Sequence, residues 1–350
     1  MKIAVLLSGG VDSSVALSLL SREFPGRVTA FYLKIWLEDE LAWIGDCPWE
    51  DDLKHARAVC EQLGVPLEIV PLQSEYHARV VEHTISELRA GRTPSPDILC
   101  NQRIKFGEFF SKIDDSFDKV ASGHYARILE REGVFHLLRA PDPVKDQTYF
   151  LSHLNQQQLS RALFPIGHLT KAEVRTLAQE LDLPNKDRKD SQGICFLGKI
   201  RYPEFVRFHL GNREGEIIEK ETGAVLGTHQ GYWYYTIGQR QGLGLGNGPW
   251  FVVAKDTENN IIYVSHRDNY TANARNELTV AAVNWIAGTP EKTSLQCKLR
   301  HGPDLVSCEI AIRPDNRVHV RLAQEDTGIA AGQYAIFYDD EECLGGGVIE

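Results

Sequence analysis

The most constraining feature of the sequence is a glycine-containing segment near its start, residues 8–14 (SGGVDSS). An apolar run at 2–7 (KIAVLL) predicts a buried strand before it, and 13–24 predicts a helix after it. Two glycines let the backbone turn tightly and approach a ligand closely, and the positive end of the helix favours an anion there. A plain turn with an Asp or Ser helix cap is the alternative. The complete pattern, directly after the first strand, favours a phosphate-binding loop.

The loop differs from two familiar nucleotide-binding sequences. It contains neither GxxxxGK[ST] nor GxGxxG, so it is not a kinase-type loop or a dinucleotide fingerprint. Its SGGxDS pattern resembles the loop of enzymes that split ATP into AMP and pyrophosphate, and this resemblance implies adenylation of a substrate. Asp12 is a candidate for holding Mg²⁺ against phosphate oxygens.

The first half of the chain alternates strand and helix patterns. Further strands are predicted at 28–36, 67–72 and 119–123, and helices at 50–63 and 75–90. This alternation predicts a parallel, doubly wound sheet with helices on both faces. The carboxyl ends of such strands line the ligand crevice. Leu33 and Gly123, near the ends of the second and fourth strands, are therefore candidates for the adenosine side, although Leu33 fits an ordinary core position equally well.

The pattern changes after about residue 197. Residues 231–248 hold six glycines among aromatic residues, and the later segments alternate apolar and polar residues with frequent turns. Short strands at this spacing are typical of a barrel or sandwich. We predict three domains: a nucleotide-binding domain at 1–199, a small β-rich central domain at 200–272, and an antiparallel β-barrel at 273–350.

The charge and cysteine content bound the function. The 350 residues carry 48 acidic and 38 basic side chains, so the formal charge is −10. Proteins that coat nucleic acid are basic, so any nucleic acid must bind a local basic surface here. No stretch approaches the ~20 apolar residues of a membrane span, and no targeting segment is recognisable. An odd number of scattered cysteines, seven, indicates reduced thiols and predicts a cytoplasmic location.

Two cysteines stand in unusual surroundings. Cys100 follows two prolines in 93–101 (TPSPDILCN), which predicts a stiff, non-helical loop that presents Asp97 and Cys100. Cys195 lies in 189–196 (KDSQGICF), after a basic stretch. The alternative is that each is a small buried side chain. That interpretation fits the remaining cysteines of helix-type and strand-type segments well: Cys60, Cys297, Cys308 and Cys343.

A reactive cysteine needs nearby positive charge, because a thiol with a pKa of ~8.5 is only about 3% thiolate at pH 7. Basic residues flank both candidates: Arg103 and Lys105 follow Cys100, while Arg188 and Lys189 precede Cys195. The same charges could instead meet phosphates. The sequence contains no CxxC and no pair of Cys or His at zinc-finger spacing, so it does not predict a zinc site. An iron–sulfur site with Cys47 as the third ligand is a further alternative.

Eight motifs follow one another from residue 8 to 350: SGGVDSS, GRTPSPDILCN, IKFG, ASGHYA, KDQTYFL, DSQGICF, TIGQRQGLG and CLGGGVIE. Together they closely resemble the tRNA-specific 2-thiouridylases, the MnmA family, over nearly the whole chain. The resemblance implies an N-terminal adenine-nucleotide-hydrolase-like (PP-loop) domain, a small central domain and a C-terminal β-barrel. It also implies that the wobble uridine in the anticodon loop of certain tRNAs is converted to 2-thiouridine, with ATP and with sulfur carried by a protein persulfide.

The same motifs imply roles for individual residues. Cys195 matches the persulfide carrier and Cys100 its partner nucleophile, so that the two end the cycle as a disulfide. Asp97 is our candidate general acid–base, because it lies in the segment that meets the target base. Nucleotide contacts are implied for Leu6, Leu7, Ser8, Gly9, Gly10, Val11, Asp12, Ser13, Leu33 and Gly123. Contacts with tRNA are implied for Ser95, Pro96, Asp97, Lys145, Asp146, Gln147, Arg300 and His301.

The sequence departs from the family pattern in three places, none of which removes a reacting group. Ser95 stands where asparagine is common, His301 where an aromatic residue is common, and the stretch 39–50 is short.

Three other functions are the alternatives. An amide-forming ligase of the same ATP-splitting class would need no cysteine pair. The barrel and the Cys100 segment disfavour thiolation of a different tRNA base. Asp12, Cys100 and Cys195 together disfavour a non-enzymatic nucleotide- or tRNA-binding protein.

Overall fold

The computed structural model describes residues 1–35, 48–189 and 201–350, which form three sheets. The strands are, in chain order, β1 (Ile3–Leu6), β2 (Val28–Lys34), β3 (Leu67–Pro71), β4 (Lys119–Ala121), β5 (Ala126–Arg131), β6 (Val134–Arg139), β7 (Ala162–Leu163), β8 (Gly215–Glu219), β9 (Val225–His229), β10 (Trp250–Asp256), β11 (Ile261–His266), β12 (Arg275–Trp285), β13 (Ser294–Lys298), β14 (Val306–Ile312), β15 (Val318–Asp326), β16 (Tyr334–Asp339) and β17 (Glu342–Ile349).

Helices cover the first sheet and connect the others. They are α1 (Val11–Glu23), α2 (Pro48–Leu63), α3 (consecutive segments Gln73–Tyr76, His77–Val81 and Glu82–Arg89), α4 (consecutive segments Pro96–Leu99, Cys100–Glu108 and Phe109–Lys112), α5 (Thr148–Leu151), α6 (Gln156–Arg161), α7 (Lys171–Glu180), α8 (Tyr202–Leu210) and α9 (Arg267–Tyr270). The middle segments of α3 and α4 are π-helical. Short 3₁₀ turns occupy Tyr232–Tyr234 and Thr271–Asn273.

The first sheet is the predicted parallel, doubly wound sheet. Its strand order is β3-β2-β1-β4-β7, and Ile3 of β1 pairs in parallel with Val28 of β2 and Lys119 of β4. Every residue of β1 is buried, because helices cover both faces of the sheet. The order reverses direction at β1, so the loops after β1 and β4 open into the same crevice.

The last sheet closes into the predicted antiparallel barrel. Its strands run in the order β12-β15-β14-β13-β16-β17, and β12 also pairs with β17. Glycines allow this closure: a Cβ added at Gly345, Gly346 or Gly347 would lie 2.0–2.3 Å from a backbone oxygen of a neighbouring strand. The CLGGGVIE motif is therefore a packing requirement of β17, which is held between two strands.

A hairpin from the first part of the chain extends the barrel sheet. Strands β5 and β6 pair with each other, and Leu137 and Leu138 of β6 pair with Cys343 and Glu342 of β17. The sequence patterns did not reveal this hairpin. The limits 1–199, 200–272 and 273–350 therefore stay a prediction, because residues inside the first range belong to the sheet of the last.

Between these sheets lies a four-stranded sheet of order β10-β11-β8-β9, in which β11 and β8 run parallel. The glycine-rich segment before β10 forms no strand in the described structure. Its Tyr232 and Trp233 are buried, and Tyr232 Oη donates a hydrogen bond to Arg89 O at the end of α3. The central sheet is thereby attached to the first part of the chain.

The prediction of a non-helical segment around Cys100 was wrong. Pro96 is the first residue of α4, and Cys100 lies inside that helix. A proline at the first helical position is favourable, since its fixed φ suits the helix and its missing N–H would have had no partner there. Among the described residues, no helix is both long and apolar enough to cross a membrane.

Candidate functional site

The phosphate loop leaves the start of α1 open to a ligand. Gly9 has φ +77°, and an added Cβ would lie 2.2 Å from Asp52 O, so a side chain there would be doubly disfavoured. Gly10, the residue before α1, provides no side-chain cap, and Ser13 Oγ and Ser14 Oγ donate to Gly10 O at 3.1 and 2.9 Å. The serines thus hold the turn, and the first N–H groups of α1 receive no capping side chain.

Charged residues surround the loop. Asp12 accepts hydrogen bonds from Lys171 Nζ at 2.7 and 2.9 Å and from Tyr125 Oη at 2.8 Å. Arg188 Nη1 donates to Gly9 O at 3.0 Å, and Arg188 also pairs with Asp52. Two cations therefore lie at the phosphate loop, each held by a carboxylate, where they can contribute to binding an anionic ligand.

The residues predicted to contact the nucleotide differ in burial and in their position relative to the phosphate loop. Leu6, Leu7 and Val11 are buried, at 8% exposure or less, so their contribution to a ligand would come from the backbone. Leu33 lies near the end of β2, partly buried against the main core. Gly123 follows β4, and an added Cβ there would lie 2.7 Å from Ser13 N. Gly123 is thus packed directly against the first turn of α1.

His124 connects the phosphate loop with the helix that carries Cys100. It follows Gly123, and its Nδ1 lies 2.7 Å from Ser122 Oγ. Its ring lies 6.2 Å from the ring of Phe106 in α4, and burial together with Lys105 lowers its pKa well below 6.5. The imidazole is therefore neutral at pH 7. A run of contacts thus leads from Ser13 through Gly123 and His124 to Phe106 of α4, the helix that also carries Cys100.

Cys100 is protonated at rest. Its side chain is 1% exposed, and its pKa is raised to about 11, chiefly by burial; Lys105 opposes this rise and Asp97 adds to it. The nearby positive charge that the sequence suggested is present, but burial outweighs it. The described cysteines expected to be buried and inert are indeed buried: Cys60, Cys297, Cys308 and Cys343.

Asp97 lies one helical turn before Cys100 and is partly exposed, so both side chains can face the same side of α4. Ser95 immediately precedes this helix, and its side chain lowers the pKa of Tyr149 in α5, against the larger effect of burial. Asn101 Nδ2 donates to Phe150 O at 3.0 Å. The beginning of α4 is thereby fixed against α5, with Pro96 buried.

The barrel brings Arg300 and His301 to this region. The His301 ring packs against Phe150 with centroids 4.6 Å apart and planes tilted by 35°, and its charge interactions include Asp97 and Lys145. Partial burial and repulsion by Lys298 lower the pKa of His301. Arg300 is half exposed and donates to Asp326 Oδ2 at 2.5 Å. The predicted target-base segment and the predicted barrel contacts thus lie together.

Asp146 differs from the other predicted tRNA residues. It is fully buried and accepts a hydrogen bond from the fully buried Lys298 Nζ at 3.0 Å. Thr148 Oγ1 also donates to it, at 2.9 Å. A direct contact of this carboxylate with RNA does not fit these positions. Lys145 is partly exposed, and Gln147 Oε1 accepts the Tyr125 N–H at 2.9 Å.

Two predicted cysteines lie outside the described residues, namely Cys47 and Cys195. Within the described ranges, no group of three His, Cys, Asp or Glu side chains could hold a metal ion.

Several contacts at the site were not predicted from the sequence. Tyr125 and Tyr149 belong to the motifs ASGHYA and KDQTYFL, so the sequence offered a signal that they are site residues. Lys171 and Lys298 carry no local signal, because their partners are distant in the chain.

Comparison with known proteins agrees with this architecture. A family model described as tRNA methyl transferase HUP domain matches residues 1–199, a tRNA methyl transferase PRC-barrel domain matches 203–266, and an aminomethyltransferase beta-barrel domain matches 275–349. The parallel sheet and phosphate loop therefore define a HUP-type nucleotide-binding protein with two further β domains.

Full-length relatives identify the family. The chain is 44% identical to tRNA-specific 2-thiouridylase MnmA 1 of Bacteroides thetaiotaomicron and 45% identical to MnmA of Parabacteroides distasonis, each over 356 residues, 100% of this chain and 99% of the relative. It is 43% identical to MnmA of Porphyromonas gingivalis over 360 residues, with the same shares covered. The chain belongs to the tRNA-specific 2-thiouridylase (MnmA) family.

Proposed function

We propose that the protein is an ATP-dependent tRNA-uridine 2-sulfurtransferase that converts the wobble uridine to 2-thiouridine, releasing AMP and pyrophosphate. The observation that carries this proposal is the packing of Gly123 on the phosphate loop beside His124, which contacts the Cys100 helix. ATP chemistry and a cysteine are needed at one place for thiolation, and a run of contacts from the predicted phosphate loop to the helix of Cys100 supports this arrangement. The family supports ATP use, and its named members are thiouridylases.

ATP activates the uridine. The C2 oxygen is a poor leaving group, and transfer of AMP to it makes it a good one. The open start of α1, together with residues Leu6 to Ser13, Leu33 and Gly123, is proposed to bind the nucleotide. Departing pyrophosphate is stabilised there by backbone N–H groups. Asp12, whose side chain is 30% exposed, would be the protein contact of a Mg²⁺ ion bound with ATP, and that ion would neutralise phosphate charge there.

Sulfur is proposed to arrive as a persulfide on Cys195, loaded by a separate carrier protein. In one route the terminal sulfur attacks C2 and AMP leaves, after which Cys100 attacks Cys195 Sγ and the bond between the two persulfide sulfurs breaks. In the other, Cys100 attacks first and frees hydrosulfide, which attacks C2. Both routes give 2-thiouridine, AMP and a Cys100–Cys195 disulfide. An external thiol reductant must then reduce that disulfide.

Cys100 must lose its proton to attack, because burial keeps it protonated at pH 7. Asp97 is the proposed proton acceptor, since it is on the same helix one turn away and partly exposed. The charge of Lys105 lowers the pKa of Cys100 and so favours the thiolate.

Binding of tRNA is proposed to use the target-base segment Ser95, Pro96 and Asp97, with Lys145, Gln147, Arg300 and His301 around it. Arg103, Arg188 and Lys189 are proposed phosphate contacts. A wobble base is already in a loop, so turning it into the site costs less than extracting a paired base. The family-model descriptions speak of methyl transfer, but the three relatives cited are thiouridylases over their full length.

The proposal is tested by mass spectrometry of nucleosides from unmodified tRNA incubated with the protein, ATP and a sulfur donor. Wild type is expected to produce 2-thiouridine. Cys100→Ser and Cys195→Ser are each expected to lower the yield at least 100-fold, because each removes a sulfur that forms a bond in the cycle.

Cys297→Ser is the matched control, because Cys297 is a buried barrel cysteine away from the proposed chemistry. It is expected to keep the wild-type yield. Normal thiolation by Cys195→Ser would refute the carrier assignment, and absence of 2-thiouridine with wild type and a competent donor would refute the function.

A further inference from the structure

A cavity of about 580 Å³ lies where the first part of the chain, the central sheet and the barrel meet. Its wall includes Thr93, Lys220, Lys255, Asp326 and Glu350. Thr93 lies two residues before Ser95, and its Oγ1 is 2.5 Å from Thr236 Oγ1. Asp326 pairs with Arg300. The cavity therefore borders the proposed tRNA site on two sides.

Three cations of the wall donate to uncharged oxygens: Lys255 Nζ to Tyr235 O at 2.9 Å, Lys220 Nζ to Asn273 Oδ1 at 2.6 Å, and Arg275 Nη2 to Ile329 O at 3.2 Å. Across 1–35, 48–189 and 201–350, no carboxylate forms an ion pair with any of the three. Their positive charges are thus not neutralised by the protein.

The two carboxylates of the wall are neutralised from outside the cavity. Asp326 pairs with Arg300 and also accepts the Gly328 N–H at 2.6 Å. Glu350 accepts three hydrogen bonds from Arg317 at 3.0–3.1 Å. The wall thus holds three cations that have no carboxylate partner, whereas each of its two carboxylates is paired with an arginine. The cavity is therefore net positive, although the whole chain carries −10.

Of the three cations, Lys255 would be stabilised most by a bound anion. Burial lowers its pKa to about 8, because its ammonium has lost much of its water. An ammonium has three N–H donors, and the Tyr235 carbonyl takes one of them. A bound phosphate oxygen would replace the missing water and supply the missing charge.

We propose that this cavity binds a backbone phosphate of tRNA next to the anticodon loop, with Lys220, Lys255 and Arg275 as its contacts. This inference rests on the proposed function, since it takes tRNA as the substrate. RNA is favoured over a free anion because the wall adjoins the target-base segment through Thr93 and the Arg300 segment through Asp326.

The test measures the affinity of Lys220→Gln, Lys255→Gln and Arg275→Gln for unmodified substrate tRNA by filter binding between 50 and 300 mM KCl. Loss of one phosphate contact is expected to reduce the slope of log K against log [salt] by about 0.7 to 0.9. The KM for tRNA is expected to rise severalfold while kcat stays within twofold. Lys220 and Arg275 are exposed, so those two variants test the proposal even when Lys255→Gln folds poorly.

Lys292→Gln is the matched control, because it removes the same charge from an exposed barrel lysine paired with Asp339. It is expected to keep the wild-type slope. Slopes for all three cavity variants equal to that of Lys292→Gln would overturn the proposal. So would loss of inorganic phosphate binding, measured by calorimetry, with an unchanged tRNA slope, since the occupant would then be a free anion. Wild-type thiolation, assayed in parallel, shows whether the proposed function itself holds.

Discussion

At the scale of single residues, Gly123 contributes more to the site than any side chain could. It allows the backbone after β4 to touch the backbone of the phosphate loop, where an added Cβ would lie 2.7–2.9 Å from Ser13 N, Asp12 C and Ser13 Cα. These neighbours are backbone atoms, which cannot move aside as a flexible side chain can. The loop and the strand are therefore held at one fixed separation.

We expect Gly123→Ala to weaken ATP binding and lower the rate of thiolation about tenfold or more, because overpacking of this kind costs about 1–3 kcal/mol. Equilibrium dialysis with ATP and the nucleoside assay measure both effects. Gly246→Ala is the control, since nothing lies within 4 Å of an added Cβ there. Equal ATP affinity of the two variants would show that the contact between β4 and α1 does not shape the loop.

Site residues could be proposed from the sequence where they belong to a continuous motif. The phosphate loop, Asp97 and Cys100 were chosen in this way, and their roles stay predictions. Lys171 and Tyr125, which hold Asp12, are 159 and 113 positions away from it, so no local pattern links them. The sequence left open whether the basic residues near Cys100 activate it. Burial raises the pKa of this thiol more than Lys105 lowers it, and burial is a property of the fold that a sequence of nearby charges does not reveal.

At the scale of elements, the segment that carries Asp146 is fastened to the barrel by a buried ion pair. Lys298, the last residue of β13, and Asp146, just before α5, are both fully buried and 3.0 Å apart. Arg139 at the end of β6 lies 3.4 Å from the same carboxylate. The pair thus sets the position of Lys145 and Gln147 relative to Arg300 and His301, which follow β13 directly.

We expect Lys298→Met to lower the free energy of unfolding by roughly 3 kcal/mol, because removal of one partner leaves the other charge buried. The double variant Lys298→Met/Asp146→Asn should regain most of this loss, since no fully buried charge remains without a partner and Arg139 is partly exposed. Urea unfolding followed by fluorescence measures both. Lys292→Met, which breaks an exposed pair with Asp339, should cost under about 1 kcal/mol. Additive losses in the double variant would contradict a direct coupling of the two charges.

Strands and helices could be predicted where their pattern of apolar residues extends over many positions of the sequence. The parallel strands and the barrel were predicted because apolar runs and alternation repeat many times. The helix at Cys100 was missed because two prolines were taken as helix breakers, whereas Pro96 occupies the first helical position. The hairpin β5–β6 was missed because its partner strand β17 lies some two hundred residues away, and a pairing of that kind leaves no local trace.

At the scale of the whole molecule, neutral histidines are buried where separate parts of the chain meet. His153 is 8% exposed, its ring lies 4.8 Å from that of Tyr334 in β16, and its Nε2 has no hydrogen-bond partner among the described residues. Burial lowers its pKa from 6.5 to about 4. Burial likewise lowers the pKa of His83, His124 and His229.

We expect stability to fall as the pH decreases from 6.5 to 4, because the unfolded chain binds protons at these histidines more tightly than the folded protein does. The stability due to a lowered pKa is fully present above 6.5 and is lost through this window, by roughly 3 kcal/mol for His153. Thermal unfolding between pH 8 and 4.5 measures it. His153→Gln should flatten the decline, whereas His168→Gln, at an exposed position, should not. A decline of equal steepness in both variants would locate the acid sensitivity elsewhere.

The pairing of β6 with β17 has a consequence for how the protein is made. Residues 342–349 are synthesised about two hundred residues after the hairpin at 126–139, and they both close the barrel against β12 and cover the outer edge of β6. Until these residues have been synthesised, the hairpin has a bare strand edge, which is a template for pairing with other chains. A nascent chain that stalls late therefore exposes that edge inside a lobe whose parallel sheet is already complete, and this edge is where a chaperone would be needed most.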